Sequence, residues 1–363
     1  MRKFYPGITI FKFAGAIMVL LGHALLISLL EETGSETMSF VALLTRVIVP
    51  CFYVIAGFLA YKGWSHAARS ETYLKRYLIR IAVMYSFFCL LFTLQHNVSA
   101  LLRDGFHAGN LWLQAKIWFM AVFVNGPYYH LWFIPPLLFG VAASYWLIKN
   151  LPARSIVWIC LAGFVLCQFT SGSLRFLFGG MMDGFLGISL EQWNYLDLVL
   201  TQYIGFGLTF VAAGAVIAKY EERFLRLRAR RAVMPLCVLI VIELAMLLTT
   251  SDWTNEYKLA FTLLPLTILL FYGVLRMRSR FATVYHRQLS LFSIVTYLSH
   301  ALFMQANDWV FGWKTGDMLV SEYVARGVLT IAECILLTYV IYRGIRRRQV
   351  QEPAKGARLE VIR

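Results

Sequence analysis

Charged side chains are scarce in this sequence, making up 15% of 363 residues where a water-soluble domain carries about 25%. A surface facing water cannot be built from so few, which excludes a soluble enzyme or soluble binding module. Acidic residues are the scarcer half, 19 Asp and Glu against 34 Lys and Arg, for a net charge of +15. Several catalytic signatures are missing too: there is no Gly-x-Ser-x-Gly elbow, no phosphate loop, no His-Glu-x-x-His and no Cys-x-x-Cys. Serine-hydrolase and metalloenzyme readings therefore lose their usual residues. The six cysteines, Cys51, Cys89, Cys160, Cys167, Cys237 and Cys334, all fall in apolar stretches, where they act as small buried residues and not as a disulfide framework.

What is abundant is hydrocarbon, at 60% hydrophobic residues. A bilayer core of about 30 Å takes about 20 apolar helical residues to cross. About ten runs qualify, near 8–30, 40–61, 77–96, 131–148, 155–170, 198–218, 233–250, 259–275, 289–307 and 323–342. They are continuous and not alternating, which favours helices over barrel strands. The expectation is an all-α polytopic membrane protein with about ten transmembrane helices.

The basic excess is not a nucleic-acid signal, because it follows alternate loops. Arg2 and Lys3 precede the first run, and Lys62, Arg69, Lys75, Arg76 and Arg80 surround the second connection. Lys149 and Arg154 flank the fourth, Arg223 to Arg231 fill the sixth, Arg276 to Arg287 the eighth, and Arg343 to Arg348 open the tail. The intervening loops hold Glu31, Glu32, Glu36, Asp104, Asp183, Asp252, Glu256, Asp308 and Asp317. Cytoplasmic loops carry such a Lys and Arg excess, so both termini are expected in the cytoplasm and the protein in the inner (plasma) membrane. The first run lacks a clear small-x-small cleavage site and reads as a retained helix.

No polar stretch is long enough to separate two folded units, so 1–348 reads as one transmembrane domain and 349–363 as a disordered cytoplasmic tail. No internal repeat is visible, which counts mildly against a secondary transporter. Segment 97–130 is partly apolar but broken by Gly126 and Pro127, and reads as an extracytoplasmic interfacial helix with a re-entrant end.

Ionisable residues inside apolar runs are the candidates for chemistry. Lys12 and His23 lie eleven steps apart, which at about 100° per step returns to within about 20° of one face and about 16 Å along the axis. Gly15, Ala16 and Val19 lie between them on that stripe, small enough to leave a groove. Two readings stand for Lys12, an ammonium snorkelling to the inner headgroups or a functional cation. Two also stand for His23, a functional imidazole or a neutral ring hydrogen-bonded between helices. Arg46 should lie at a depth similar to His23, as a functional group or in a structural ion pair with Glu243 or Glu333.

Five stretches then combine. They are Lys12, ten residues and His23; Arg46-Val47-Ile48-Val49-Pro50-Cys51-Phe52-Tyr53; Tyr73-Leu74-Lys75-Arg76-Tyr77-Leu78-Ile79-Arg80; Tyr129-His130-Leu131-Trp132-Phe133-Ile134; and Thr296-Tyr297-Leu298-Ser299-His300. In order and spacing the set resembles the signature of the membrane acyltransferase-3 family, most of all its enterobacterial common antigen O-acetyltransferase type. Lys12 stands where that family usually has arginine; the charge is kept and the bidentate fork is lost.

The resemblance implies ten spans, an acyl-CoA donor in the cytoplasm, acetyl-CoA by preference, and a hydroxyl of an extracytoplasmic or lipid-linked glycan as acceptor. No permanently bound cofactor or nucleic acid is expected, and the oligomeric state is not legible. Within that frame His23 is the general base, or carries a transient acyl group, with the thioester held along the Lys12 to His23 face. Arg46 would bind an acceptor phosphate or stabilise the oxyanion. Lys75, Arg76 and Arg80 would hold the CoA phosphates, although positive-inside anchoring explains Lys75 equally well. His130 and Trp132 would meet the sugar, with an interface-belt tryptophan as the ordinary alternative, and His300 is a further candidate behind His23. The competing class is a transporter or exporter of a glycan or small metabolite, in which His23, Arg46, Glu243 and Glu333 line a pathway without making a bond.

Overall fold

The structure is a computed structural model and describes residues 3–26, 46–128, 130–177, 190–250, 259–314 and 317–360. Among the described residues the backbone is helical almost throughout, with an isolated bridge between Gly172 and Leu259 in place of any strand. In lipid this is the required solution, since each helix satisfies its own N–H and C=O groups.

In chain order the main helices are α1 (Pro6–Leu21), prolonged by a π-turn over Gly22–Leu26; α2 (Ile48–Ser65); α3 (Ser70–Asp104); α4 (Ala108–Met120); α5 (Ile134–Asn150); and α6 (Ala153–Thr170). There follow α7 (Leu190–Leu200), joined through a π-segment, Thr201–Leu208, to α8 (Thr209–Lys219); α9 (Arg230–Thr250); α10 (Leu263–Arg276); α11 (His286–Phe311); and α12 (Val320–Glu360).

Among the described residues eight helical spans are long and apolar enough to cross a membrane: Pro6–Leu25, Ile48–Ser65, Ser70–Asp104, Ala153–Thr170, Trp193–Lys219, Arg230–Thr250, His286–Phe311 and Val320–Arg347. The other two expected runs form shorter helices, α5 with 17 residues and α10 with 14. Pro135 and Pro136 sit in the first turn of α5, where a missing N–H is tolerated, and this fixes its start at Ile134. The 14 residues of α10 rise about 21 Å, short of an apolar core of about 30 Å.

The surface is inverted relative to a soluble protein. Val83, Phe87, Leu90, Met234, Val241, Val328 and Leu336 are exposed, whereas Ser144, Thr267, Thr296, His300 and Glu243 are buried. Apolar surface spread over so many helix faces is what a hydrocarbon solvent selects. Of the stretch 97–130 expected as an interfacial helix, residues up to Asp104 continue α3, and the rest is α4, extended by a π-turn (Ala121–Asn125) and ended at Gly126, whose positive φ of 74° suits glycine. It buries Asn110 and Gln114 and leaves Trp112, Ile117 and Phe119 outward.

Two compact units form, Ser39–Gly273 and, from the two ends of the chain, Met1–Met38 with Val274–Arg363. In the first, α2 packs backbone to backbone on α8. A Cβ at Gly57 would collide with the carbonyl of Val211, and one at Gly214 with that of Val54, so only glycine allows this approach. Tyr53, fully buried, donates its hydroxyl to the carbonyl of Phe133 at 2.9 Å. In the second unit α1 packs on α11 and α11 on α12, around Leu20, Ala24, Phe292, Met304 and Cys334, with Phe13 and Phe292 rings 5.2 Å apart.

Candidate active site

His23 is carried not by regular α-helix but by the π-turn that follows α1. A π-turn bonds i to i+5 and so holds one residue more than the helix wants; such turns recur at functional sites. The wider turn also advances less per residue than the α-helical steps that place Lys12 and His23 on one face. Both side chains are half-buried, and Gly15 and Ala16 between them are buried.

Against His23 lies the ring of His300, from α11, stacked with centroids 5.7 Å apart and planes inclined by 17°. His300 is completely buried, and its Nδ1 lies 2.9 Å from the carbonyl of Thr296 and 3.1 Å from that of Tyr297. A carbonyl only accepts, so Nδ1 carries the proton and donates it there. In the neutral ring Nε2 then holds the lone pair. Two of the predicted residues, 277 positions apart in sequence, thus meet within one unit.

Of the polar groups on the same two helices, Glu333 was expected from the sequence, whereas Arg326, Asn307 and Thr330 were not. Arg326 on α12 is 3% exposed; its Nη2 donates to the carbonyl of Ala24 at 3.0 Å and its Nη1 faces the Asp308 carboxylate at 3.3 and 3.5 Å. The guanidinium lies 5.2 Å from the centre of the Tyr323 ring. One and two turns further along α12, Thr330 and Glu333 accept from Asn307 Nδ2 at 3.4 and 3.0 Å. His300 and Asn307 on α11 share a stripe, as do Arg326, Thr330 and Glu333 on α12, giving this unit a polar seam. The signal for Arg326 was present: it is a cation inside an apolar run on the side where the loops are otherwise acidic.

The remaining predicted residues belong to the other unit. Arg46 lies in a turn just before α2, not inside that helix, because α2 begins only at Ile48. Lys75, Arg76 and Arg80 are all exposed on the opening turns of α3, and the two arginines, four apart, share a face. His130 is 3% exposed, packed edgewise against Phe92 at 5.9 Å and Tyr128 at 5.7 Å. Trp132 is half-buried with its ring 5.7 Å from that of Phe206.

Glu243 is completely buried and its carboxylate accepts from the hydroxyls of Ser173 and Thr262 and from the backbone N–H groups of Phe261 (2.6 Å) and Thr262 (3.2 Å). All four donors are neutral. A carboxylate so fully solvated by protein ties the end of α6 and the start of α10 to the body of α9. Among the described residues no three His, Cys, Asp or Glu side chains gather as metal ligands. The acidic residues Glu31, Glu32, Glu36, Asp183, Asp252 and Glu256 lie outside the described residues, as does Tyr129 of the His-Leu-Trp-Phe stretch.

Comparison with known proteins adds three findings. A family model described as an acyltransferase domain matches residues 5–343. An amino-acid racemase of Enterococcus faecalis is 24% identical over 221 residues, which is 60% of this chain but 28% of the racemase, so the chain matches well under a third of that relative. No solved structure matches. The acyltransferase match runs through all five motif stretches and both compact units, and on it the chain belongs to the membrane acyltransferase-3 family.

Proposed function

We propose that this acyltransferase moves an acetyl or other short acyl group from acyl-CoA on the cytoplasmic side to a hydroxyl of an extracytoplasmic or lipid-linked glycan. The observation that supports this most is the stacking of His23, on its π-turn, against the buried His300. Acyl transfer needs a base near the operating pH, and imidazole, with a reference value of about 6.5, is suited to it. His23 takes the acceptor hydroxyl proton as the oxygen bonds to the thioester carbonyl carbon. Collapse of the tetrahedral intermediate breaks the carbon–sulfur bond, and the proton leaves on the CoA thiol.

For the other residues the assignment rests on the family motifs that carry them. Lys12 holds the donor on the stripe below His23, and Arg46 takes an acceptor phosphate or the oxyanion. Arg76 and Arg80, exposed and on one helical face, take CoA phosphates, with Lys75 beside them. That side of the protein is then cytoplasmic, which agrees with the positive-inside distribution and with cytoplasmic termini in an inner membrane. Racemase chemistry is not carried over from the Enterococcus relative, because the matched portion is 28% of that protein.

The direct test is purified protein in vesicles supplied with labelled acetyl-CoA and isolated surface glycan. Acceptor-dependent release of CoA and label in the glycan are expected. Movement of intact glycan across the bilayer with no label incorporated would replace the enzyme with an exporter.

A further inference from the structure

The motif residues leave α12 without a role, yet it supplies a buried cation bonded to the turn that carries His23. We propose that Arg326 is a positioning residue for acyl transfer: through the Ala24 carbonyl it fixes the π-turn, and Asp308 aims and neutralises its guanidinium. The inference rests on the assignment of His23 as the base.

Ala24 follows His23 directly and lies in the same turn, so holding its carbonyl holds the turn that carries the imidazole. Ala24 is completely buried, and its carbonyl accepts a charged hydrogen bond from Arg326 at 3.0 Å. The donor is one arm of a guanidinium whose other arm faces Asp308. Asp308 lies eight residues beyond His300 on α11. The π-turn and α11 are thereby joined twice, once by the stacked rings and once through Arg326, and the second joint sets how the rings of the first face each other.

Only a forked, planar cation makes both bonds from one side chain in fixed geometry; a lysine ammonium is a point charge without that fork. A buried guanidinium also needs its counter-ion, which gives Asp308 its place. Misplacing a reacting group by about 1 Å costs about 100-fold in rate, so a loosened turn should show in turnover before it shows in donor binding.

The test uses full-length Arg326→Ala, Arg326→Lys and Asp308→Asn in vesicles. Arg326→Ala is expected to lower kcat about 100-fold with the KM for acetyl-CoA within about twofold. In a His23→Ala background the same change should cost almost nothing more, because both act through one imidazole. A merely structural arginine would lower activity in both backgrounds. Independently of turnover, carbethoxylation of His23 by diethyl pyrocarbonate, read by peptide mass spectrometry, should change severalfold in Arg326→Ala while the exposed His66 reacts as in wild type. If Arg326→Ala does not fold, Arg326→Lys and Asp308→Asn are read by the same labelling, with a smaller change in the same direction expected. Unchanged His23 labelling in the folded variants overturns the proposal even where no acceptor supports acyl transfer. Wild-type kcat in folded Arg326→Ala overturns it equally.

Discussion

The imidazoles of His23 and His300 face each other at 5.7 Å, and Nδ1–H of His300 is committed to the carbonyls of its own helix. In that stack His300 presents the flat face of its ring to His23. His300→Phe keeps that face and is expected to retain at least about half of wild-type kcat, while His300→Ala removes the support and should lower kcat about tenfold. Steady-state turnover of the two variants decides this. Equal damage in both would give His300 a proton-carrying role.

Glu243 divides the enzyme reading from the pathway reading. Its carboxylate satisfies four neutral donors, so Glu243→Ala leaves buried N–H and hydroxyl groups without an acceptor. The expected cost is about 3–5 kcal/mol, seen as a lowered melting temperature in detergent with unchanged kcat per folded molecule. Wild-type stability with abolished turnover in Glu243→Gln would place this carboxylate on the reaction path instead.

The glycine contacts between α2 and α8 give a stability prediction remote from the chemistry. Gly214→Ala drives a methyl into the carbonyl of Val54 and should destabilise by about 1–3 kcal/mol through overpacking. Gly22→Ala, where a Cβ would meet open space, is the control and should fold as wild type. Thermal unfolding followed by thiol labelling of the buried Cys51 reports on both.

Arg76 and Arg80 should govern the donor and not the chemistry. Replacing both with alanine is expected to raise the KM for acetyl-CoA at least about tenfold at constant kcat, since a charged hydrogen bond is worth about 1.5–3 kcal/mol. Raising salt should reproduce part of the effect in wild type and little in the variant, because exposed pairs are screened. A fall in kcat at constant KM would move these arginines away from the CoA phosphates.

Local pattern carried much of this protein into view. Apolar runs and their charged ends show the helices because each span answers mainly to its solvent. The shortening of α5 at Pro135 and Pro136 was legible in principle, whereas the residues just before α10, Phe261 and Thr262, are held by Glu243, 18 and 19 positions earlier on another helix. His23 and His300 were both legible as ionisable groups in apolar runs, but their stacking was not. The π-turn and Arg326 were harder to read for the same reason: the bond from Arg326 to Ala24 spans 302 positions, and no local period encodes it. His130 shows the converse, a motif histidine whose position at a helix start suggests access but whose ring is enclosed by Phe92 and Tyr128.

The most direct measurement is the turnover of His23→Ala in vesicles, with labelled acetyl-CoA inside reach of the basic face and glycan acceptor supplied. If His23 is the general base, the variant should insert and fold normally while acceptor acylation falls about 100- to 10,000-fold, the range a positioned base contributes. Acylation at the wild-type rate by a folded His23→Ala protein would contradict the assignment and leave only the membrane fold and the family standing.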